Sequence, residues 1–227
     1  MINTVIFDLD DTLYDEIDYC KSGFAAVAHF LHNANPSIPR ESFFKKLWNQ
    51  FQNNNRTRTF NAALESFNLP CGDNLIKQLV TVYRDHHPNI TLPQETKIML
   101  DELKASYTLA LLTDGFLPAQ KLKVQALGIA PYFSSTIYTE ELGRQFWKPS
   151  TVGFEKILSE FGVNPGQAVY VADNAAKDFI APNQLGLATI QIQRPNRIHT
   201  DRPSGPKDAP RYTITALSQL PPLLAKL

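Results

Sequence analysis

Apolar residues follow two rhythms along the chain, and the change between them divides it. The opening run Thr4-Val5-Ile6-Phe7 is continuously apolar, rich in β-branched residues, and stops at Asp8. That is the pattern of a strand buried on both faces. From about Asp15 to Pro93 the spacing becomes helical. Phe24, Val27, Ala28 and Leu31 recur at i, i+3, i+4 and i+7, and Phe43, Phe44, Leu47 and Phe51 repeat the rhythm. So do Leu75, Ile76, Leu79, Val82 and Tyr83, while Pro36, Pro39, Pro70 and Gly72 punctuate. This stretch predicts about four helices and no strand.

Beyond Pro93 strands and helices alternate. Helices are predicted over 95–106, 118–127, 151–161 and 175–185, with Gly128, Gly162 and Gly186 closing three of them. Strands are predicted over 108–112, 135–138, 168–171 and 188–192. Such alternation means an α/β fold, a parallel sheet with helices on both faces. Residues 1–14 and 93–227 would form that core, and 15–92 an all-helical insertion after the first strand. The Pro- and Arg-rich segment 194–210 reads as a surface loop. Thr213-Ile214-Thr215 and Leu217–Leu224 read as an edge strand and a last helical turn.

Composition narrows the function classes. At 227 residues the chain is long enough for one domain with an insert, and 43% hydrophobic residues suit a globular protein. Lys and Arg total 22, as do Asp and Glu, so the net charge is zero. That speaks against a nucleic-acid binder, which needs a basic face. Cys20 and Cys71 form no paired or metal-ligand spacing and read as free thiols of a reducing compartment. No basic, apolar leader opens the chain, and no run reaches the roughly 18 apolar residues of a membrane span. The expectation is a cytoplasmic protein off the membrane, a monomer or homodimer.

Polar residues with chemical potential collect where the strands end. The first strand runs into Asp8-Leu9-Asp10-Asp11-Thr12, and the second into Thr113-Asp114-Gly115. Lys148-Pro149 follows the third, and Asp173-Asn174 the fourth, with Asp178 soon after. Parallel sheets bind ligands outside the carboxyl ends of their strands, so these segments are expected to converge. Asp8, Asp10, Asp173 and Asp178 would then crowd together, and one lysine cannot neutralise them. A hard divalent ion, Mg²⁺, resolves the conflict with oxygen ligands. Metal and Lys148 would also offset the repulsion between a carboxylate and a phosphate monoester. Asp8 would attack phosphorus and form an aspartyl-phosphate. Asp10, two residues on, would protonate the leaving oxygen and later activate water. Thr113 and its neighbour Asp114 would bind the phosphoryl group through a hydroxyl and backbone N–H groups, and Asp178 would hold Lys148. Asn174 would cap the following helix or touch the metal shell.

The ordered set Asp8-Leu9-Asp10-Asp11-Thr12, Thr113-Asp114-Gly115, Lys148-Pro149 and Asp173-Asn174 with Asp178 resembles the four motifs of the haloacid dehalogenase superfamily. The resemblance covers nearly the whole chain, and the helical insertion looks like that family's C1 cap. It implies a Rossmann-like core, Mg²⁺, and a mobile cap over a small phosphorylated metabolite, a nucleoside monophosphate or sugar phosphate. It makes Asp8 the nucleophile, Asp10 the acid/base, Thr113 and Lys148 phosphate ligands, and Asp178 an orienting acid. Asp173 becomes a metal ligand beside Asp8 and the backbone carbonyl of Asp10. Two positions depart from the usual pattern: Ala172 stands where glycine is common, and Asp114 where asparagine is frequent. The Asp114 side chain is expected to cap its turn.

Other residues have blander readings. Asp11 and Asp15 read as turn residues, Tyr14, Tyr19 and Phe24 as core of the insertion, His86-His87 as solvated, and Trp147 as packing. Arg56, Arg58 and Arg84 read as surface, with one of them able to meet an anionic substrate. A sugar-phosphate mutase keeps all four motifs and is an alternative. A carbon–halogen hydrolase is disfavoured by Asp10, an acid the dehalogenases lack. A non-catalytic binding module is disfavoured by the retention of Asp8 and Lys148.

Overall fold

The computed structural model describes residues 1–227. In chain order the elements are β1 (Thr4–Phe7), α1 (Glu16–Ala34), α2 (Arg40–Gln52), α3 (Thr59–Glu65), α4 (Asp73–Asp85), α5 (Gln94–Lys104), β2 (Thr108–Thr113) and α6 (Ala119–Leu127). Then come β3 (Ser135–Tyr138), α7 (Thr139–Leu142), α8 (Val152–Phe161), β4 (Ala168–Ala172), α9 (Ile180–Leu185), β5 (Ala188–Ile192), β6 (Tyr212–Ile214) and α10 (Leu220–Leu224). The chain divides into two units, Met1–Ile17 with Thr91–Leu227, and Asp18–Ile90.

All six strands are parallel, in the order β3-β2-β1-β4-β5-β6. The chain builds outward from β1 through β2 to β3, then restarts on the other side with β4. The switch therefore lies between β1 and β4, where the connections leave in opposite directions and open a crevice at the strand ends. Their register is fixed from Thr4 opposite Ala168 to Phe7 opposite Val171, and the Asp8 N–H extends the ladder to the Val171 carbonyl at 2.9 Å. Every residue of β1, β4 and β5 is buried, which explains the mainly apolar runs of β1 and β4. Ile6, Ala110, Leu112 and Tyr170 pack with Phe154 and Ile157 of α8 on one face. Successive strand residues point to opposite faces, so Val5, Phe7, Leu109 and Leu111 cover the other.

The sequence locates most helix ends within a residue or two. α6 and α8 stop at Gly128 and Gly162, which take left-handed φ values of 65° and 63°. One predicted helix is too long. Residues 175–179 are not helical, and α9 begins only at Ile180. Asn174 Oδ1 accepts from the Ala176 N–H at 3.0 Å, and Asp178 Oδ2 accepts from the Asn174 N–H at 3.0 Å. These side chains compete with the helical ladder and hold a tight turn instead.

Within the second unit, Tyr19 and Phe24 are buried as expected. Phe24 meets the rings of Tyr83 at 5.2 Å and Phe51 at 5.6 Å. His86 is not simply solvated. Its ring nitrogens bond the Tyr83 carbonyl at 2.7 Å and Ser22 Oγ at 3.0 Å, and it packs 5.2 Å from Tyr19. Arg58 pairs with Glu65 at 2.9 Å on the surface. Both cysteines are free, and no helix is long and apolar enough to cross a membrane.

Candidate active site

The crevice between β1 and β4 gathers three acids around one lysine. Asp8 follows β1 directly and Asp173 follows β4, so the sheet register alone makes them neighbours. The turn after Asp173 brings Asp178 back to the same place. Carboxylate oxygens of Asp8, Asp173 and Asp178 lie within 4.8 Å of one another, and all three residues are buried. Lys148 Nζ reaches Asp8 Oδ1 at 2.7 Å, Asp178 Oδ1 at 2.8 Å and the Tyr170 hydroxyl at 2.9 Å. Burial opposes the Lys148 charge, but Asp178 and Asp8 outweigh it and hold its pKa well above the ordinary value.

One ammonium cannot balance three carboxylates. Burial pushes the Asp173 carboxyl up to about 10, with the charges of Asp178 and Asp8 adding to it. Burial also raises Asp8 to about 6; Lys148 opposes this and Asp178 adds to it. Asp173 Oδ2 is buried without a hydrogen-bond partner. A buried carboxylate oxygen with no donor is a costly state. Three convergent oxygen donors, one of them orphaned, fit a hard divalent cation such as Mg²⁺. Asp8 and Asp173 would hold it, with Asp178 beside them bonded to Lys148 and the Asn174 N–H, and the Asp10 contribution expected from sequence would come through its backbone carbonyl.

The Asp10 side chain is engaged elsewhere. Its carboxylate accepts from Lys123 Nζ at 2.8 and 2.9 Å, from Gln120 Nε2 at 2.9 Å, and from the Tyr14 hydroxyl. Burial acts to raise its pKa, but Lys123, Tyr14 and Gln120 win and hold it below the usual carboxylate range. Gln120 Nε2 also donates to Thr113 Oγ1 at 2.7 Å, so the ends of β1 and β2 are tied together.

Asp114 caps its surroundings. Its carboxylate accepts from Thr139 Oγ1 at 2.8 Å, from the Lys148 N–H at 3.2 Å, and from Lys177 Nζ at 3.2 Å. It thereby fixes the backbone that carries Lys148, and its own acceptors face protein donors. Asn174 caps the turn after β4 through its Oδ1. Asp11 is a turn residue, with φ 52° and a carboxylate accepting from the N–H groups of Glu16 at 2.9 Å and Ile198 at 2.6 Å. Asp15 receives Arg194 Nε and Asn196 Nδ2, so the loop 194–198 is anchored to the turn after β1. Trp147 packs edge-on against Phe116 at 5.4 Å.

Several of these residues were not singled out from sequence. Tyr14 is a correction: it lies in the first unit and bonds Asp10, rather than filling the core of the insertion. Lys123, Gln120, Tyr170 and Lys177 were passed over. For two of them a signal existed. Gln120, Lys123, Val124 and Leu127 fall at i, i+3, i+4 and i+7, and all four are buried on one stripe of α6.

The arrangement presents a buried carboxylate paired with a lysine, a cluster of three acids that could hold a divalent cation, and a further acid two residues on. A family model of haloacid dehalogenase-like hydrolases matches residues 5–192, and the chain belongs to that family of hydrolases. Among curated relatives, the glyceraldehyde 3-phosphate phosphatase of Methanopyrus kandleri is 26% identical over 94% of this chain and 93% of its own length. The pyrimidine 5'-nucleotidase YjjG of Escherichia coli is 25% identical over 98% of this chain and 97% of its own. Among solved structures, a 2-haloacid dehalogenase from Pseudomonas syringae matches with a TM-score of 0.67 at 27% identity, covering 100% of this chain and 99% of that one.

Proposed function

We propose that the protein is a Mg²⁺-dependent phosphatase of a small phosphomonoester, working through an aspartyl-phosphate on Asp8. The observation that carries this reading is the buried Asp8–Lys148–Asp178 chain beside an orphaned Asp173 oxygen. A dianionic phosphoryl group and a carboxylate nucleophile repel each other, and Lys148 together with a cation held by the acids would offset that repulsion. When bound, Mg²⁺ would neutralise phosphoryl oxygens as a Lewis acid.

The rest follows from the chain's own groups. Asp8 attacks phosphorus in line while Lys148 holds its carboxylate and meets a phosphoryl oxygen. Asp178 keeps Lys148 in place. The Thr113 hydroxyl and the backbone N–H groups of the Thr113-Asp114-Gly115 turn bind the remaining oxygens. Asp10 gives a proton to the departing oxygen, then takes one from the water that cleaves the acyl phosphate. Residues 15–92 act as the family's helical cap and select the substrate. The named activities of the phosphatase and nucleotidase relatives support a sugar phosphate or nucleoside monophosphate.

Asp8→Asn tests the nucleophile. Phosphate release from an aryl phosphate in Mg²⁺ should fall by at least about 10³-fold in this variant with its melting temperature retained. Undiminished turnover would remove Asp8 from its role. The likeness to a 2-haloacid dehalogenase favours a second reading, carbon–halogen hydrolysis at the same aspartate. Halide release from a 2-haloacid without metal would establish it; the acid-rich, under-neutralised crevice argues for phosphate.

A further inference from the structure

The side chain of Asp10 is held by residues that the family motifs do not include. Lys123 is 3% exposed and Gln120 is 2% exposed, both on α6. Burying an ammonium and a carboxamide is unfavourable unless each is fully bonded. Here both spend their donors on residues already assigned to the reaction. Lys123 Nζ straddles the two Asp10 oxygens at 2.8 and 2.9 Å, and Glu16 lies further off at 3.9 Å. Gln120 Nε2 reaches Asp10 Oδ2 at 2.9 Å and Thr113 Oγ1 at 2.7 Å. Tyr14 donates to Oδ1.

A carboxylate has about four acceptor positions. The four are filled here, two on each oxygen. The Asp10 rotamer is thus fully specified, and it is specified relative to Thr113. The backbone makes room for this. Gly115 has φ 139°, and a Cβ there would stand 2.7 Å from Gln120 Cδ. A side chain at position 115 would push Gln120 off both partners. The glycine of the Thr-Asp-Gly turn and the glutamine of α6 therefore belong to one device.

We propose that Lys123 is a positioning residue for the reaction, acting through Asp10, with Gln120 coupling the Asp10 carboxylate to Thr113. The proposal rests on the phosphatase reading and on Asp10 as the acid. Lys123 does not touch the substrate. It sets where the proton donor sits relative to the leaving oxygen. In the step concerned the phosphorus–oxygen ester bond breaks as the Asp8–phosphorus bond forms, and the leaving oxygen takes its proton from Asp10, which has first to gain one from solvent and release one of its four donors.

The test is single-turnover release of two leaving groups in Mg²⁺. Nitrophenolate leaves readily without protonation, whereas the alkoxide of an alkyl phosphate such as a triose phosphate does not. Lys123→Met should slow alkyl release about 10²-fold and nitrophenolate release less than about fivefold, with KM changed little. Lys123→Arg should recover much of the loss. In an Asp10→Asn background, Lys123→Met should add nothing, because its partner is already gone. Equal slowing of both substrates, no slowing of the alkyl phosphate, or a further loss in the double variant would each overturn the proposal.

Should Lys123→Met not fold, Gln120→Leu replaces it, since it leaves no charge unpaired. Its alkyl-to-aryl ratio should shift the same way, by at least about threefold, and an unchanged ratio overturns the coupling. The two readings fail separately. If Asp10→Asn shifts the ratio and Lys123→Met does not, only the positioning role falls. If Asp10→Asn leaves the ratio unchanged, the acid assignment falls and takes this proposal with it.

Discussion

Asp8 and Asp10 stand two residues apart at the end of one strand, yet the fold treats their charges in opposite ways. Asp10 is neutralised from within the protein, by one lysine of its own and two neutral donors. Asp8 shares its lysine with Asp178, and Asp173 stands beside them with an unpartnered oxygen. The first arrangement is closed. The second is short of positive charge, and burial and like charges there push carboxyl groups upward. The contrast separates two tasks. A group that must keep one orientation is given a complete set of donors. On the proposed reading, the group that would receive a cation and the phosphorus atom is left incomplete.

Removing the shared lysine has the largest expected effect. Lys148 is buried and bonded to two buried carboxylates. Lys148→Met would leave both without their cation, which typically destabilises by about 3–5 kcal/mol. For a chain of this size each kcal/mol lowers Tm by roughly 2–4 °C. The expected result is a melting temperature lower by about 6–20 °C in chelator, with no phosphatase activity. A Tm within about 2 °C of the parent would show that the acids on this side are not charged in the metal-free state.

Asp173→Asn should do the reverse, and so sharpens the contrast. Most buried polar substitutions destabilise. Here the change removes a carboxylate that is buried, crowded by Asp178 and Asp8, and missing a donor on one oxygen. In EDTA the variant should melt at or above the parent temperature. In Mg²⁺ the parent should gain stability by mass action, and the variant should gain far less. Activity should fall by at least about 10²-fold with it. A clear loss of stability in chelator, or an undiminished Mg²⁺ response, would count against the charge argument.

The two sides also differ in how far the sequence reveals them. Asp8, Thr113 and Asp173 end apolar runs, so a strand pattern and the rule for parallel sheets bring them together. Lys148 and Asp178 are less exposed to that logic and enter through their order in the motif set. The parallel sheet, the helical insertion and the strand positions were legible for the same reason, since they rest on periodicity. The supports of Asp10 were not. Lys123 sits in Lys121-Leu122-Lys123, which reads as a solvated helix face until the stripe through Val124 and Leu127 is followed back. Tyr14 lies at the boundary where the helical rhythm begins, so its pattern points to the insertion. The turn at 174–179 was overwritten by helix propensity, because Asn174 and Asp178 reorganise it through side-chain bonds that periodicity does not encode.

The mildest effect is the response of stability to pH. A carboxyl whose pKa is raised by folding binds its proton more tightly folded than unfolded, so the folded state is favoured where it is protonated. For Asp173 the ordinary value is 3.8 and the folded value about 10, so its contribution is complete below 3.8 and is lost as pH climbs toward 10. Glu16, raised to about 8 by burial and the nearby Asp10 charge, adds the same sign over a narrower window. In EDTA, Tm should therefore decline from pH 6 to pH 9. Saturating Mg²⁺ displaces the Asp173 proton and should flatten most of that slope. Asp173→Asn should flatten it without metal, whereas Glu16→Gln should remove only a part. Asp10 itself predicts no slope in this range, because its carboxyl is already held low by Lys123. Differential scanning at several pH values, with and without Mg²⁺, decides the matter. A Tm that rises with pH in chelator would mean that the crowded acids are satisfied by something other than a cation.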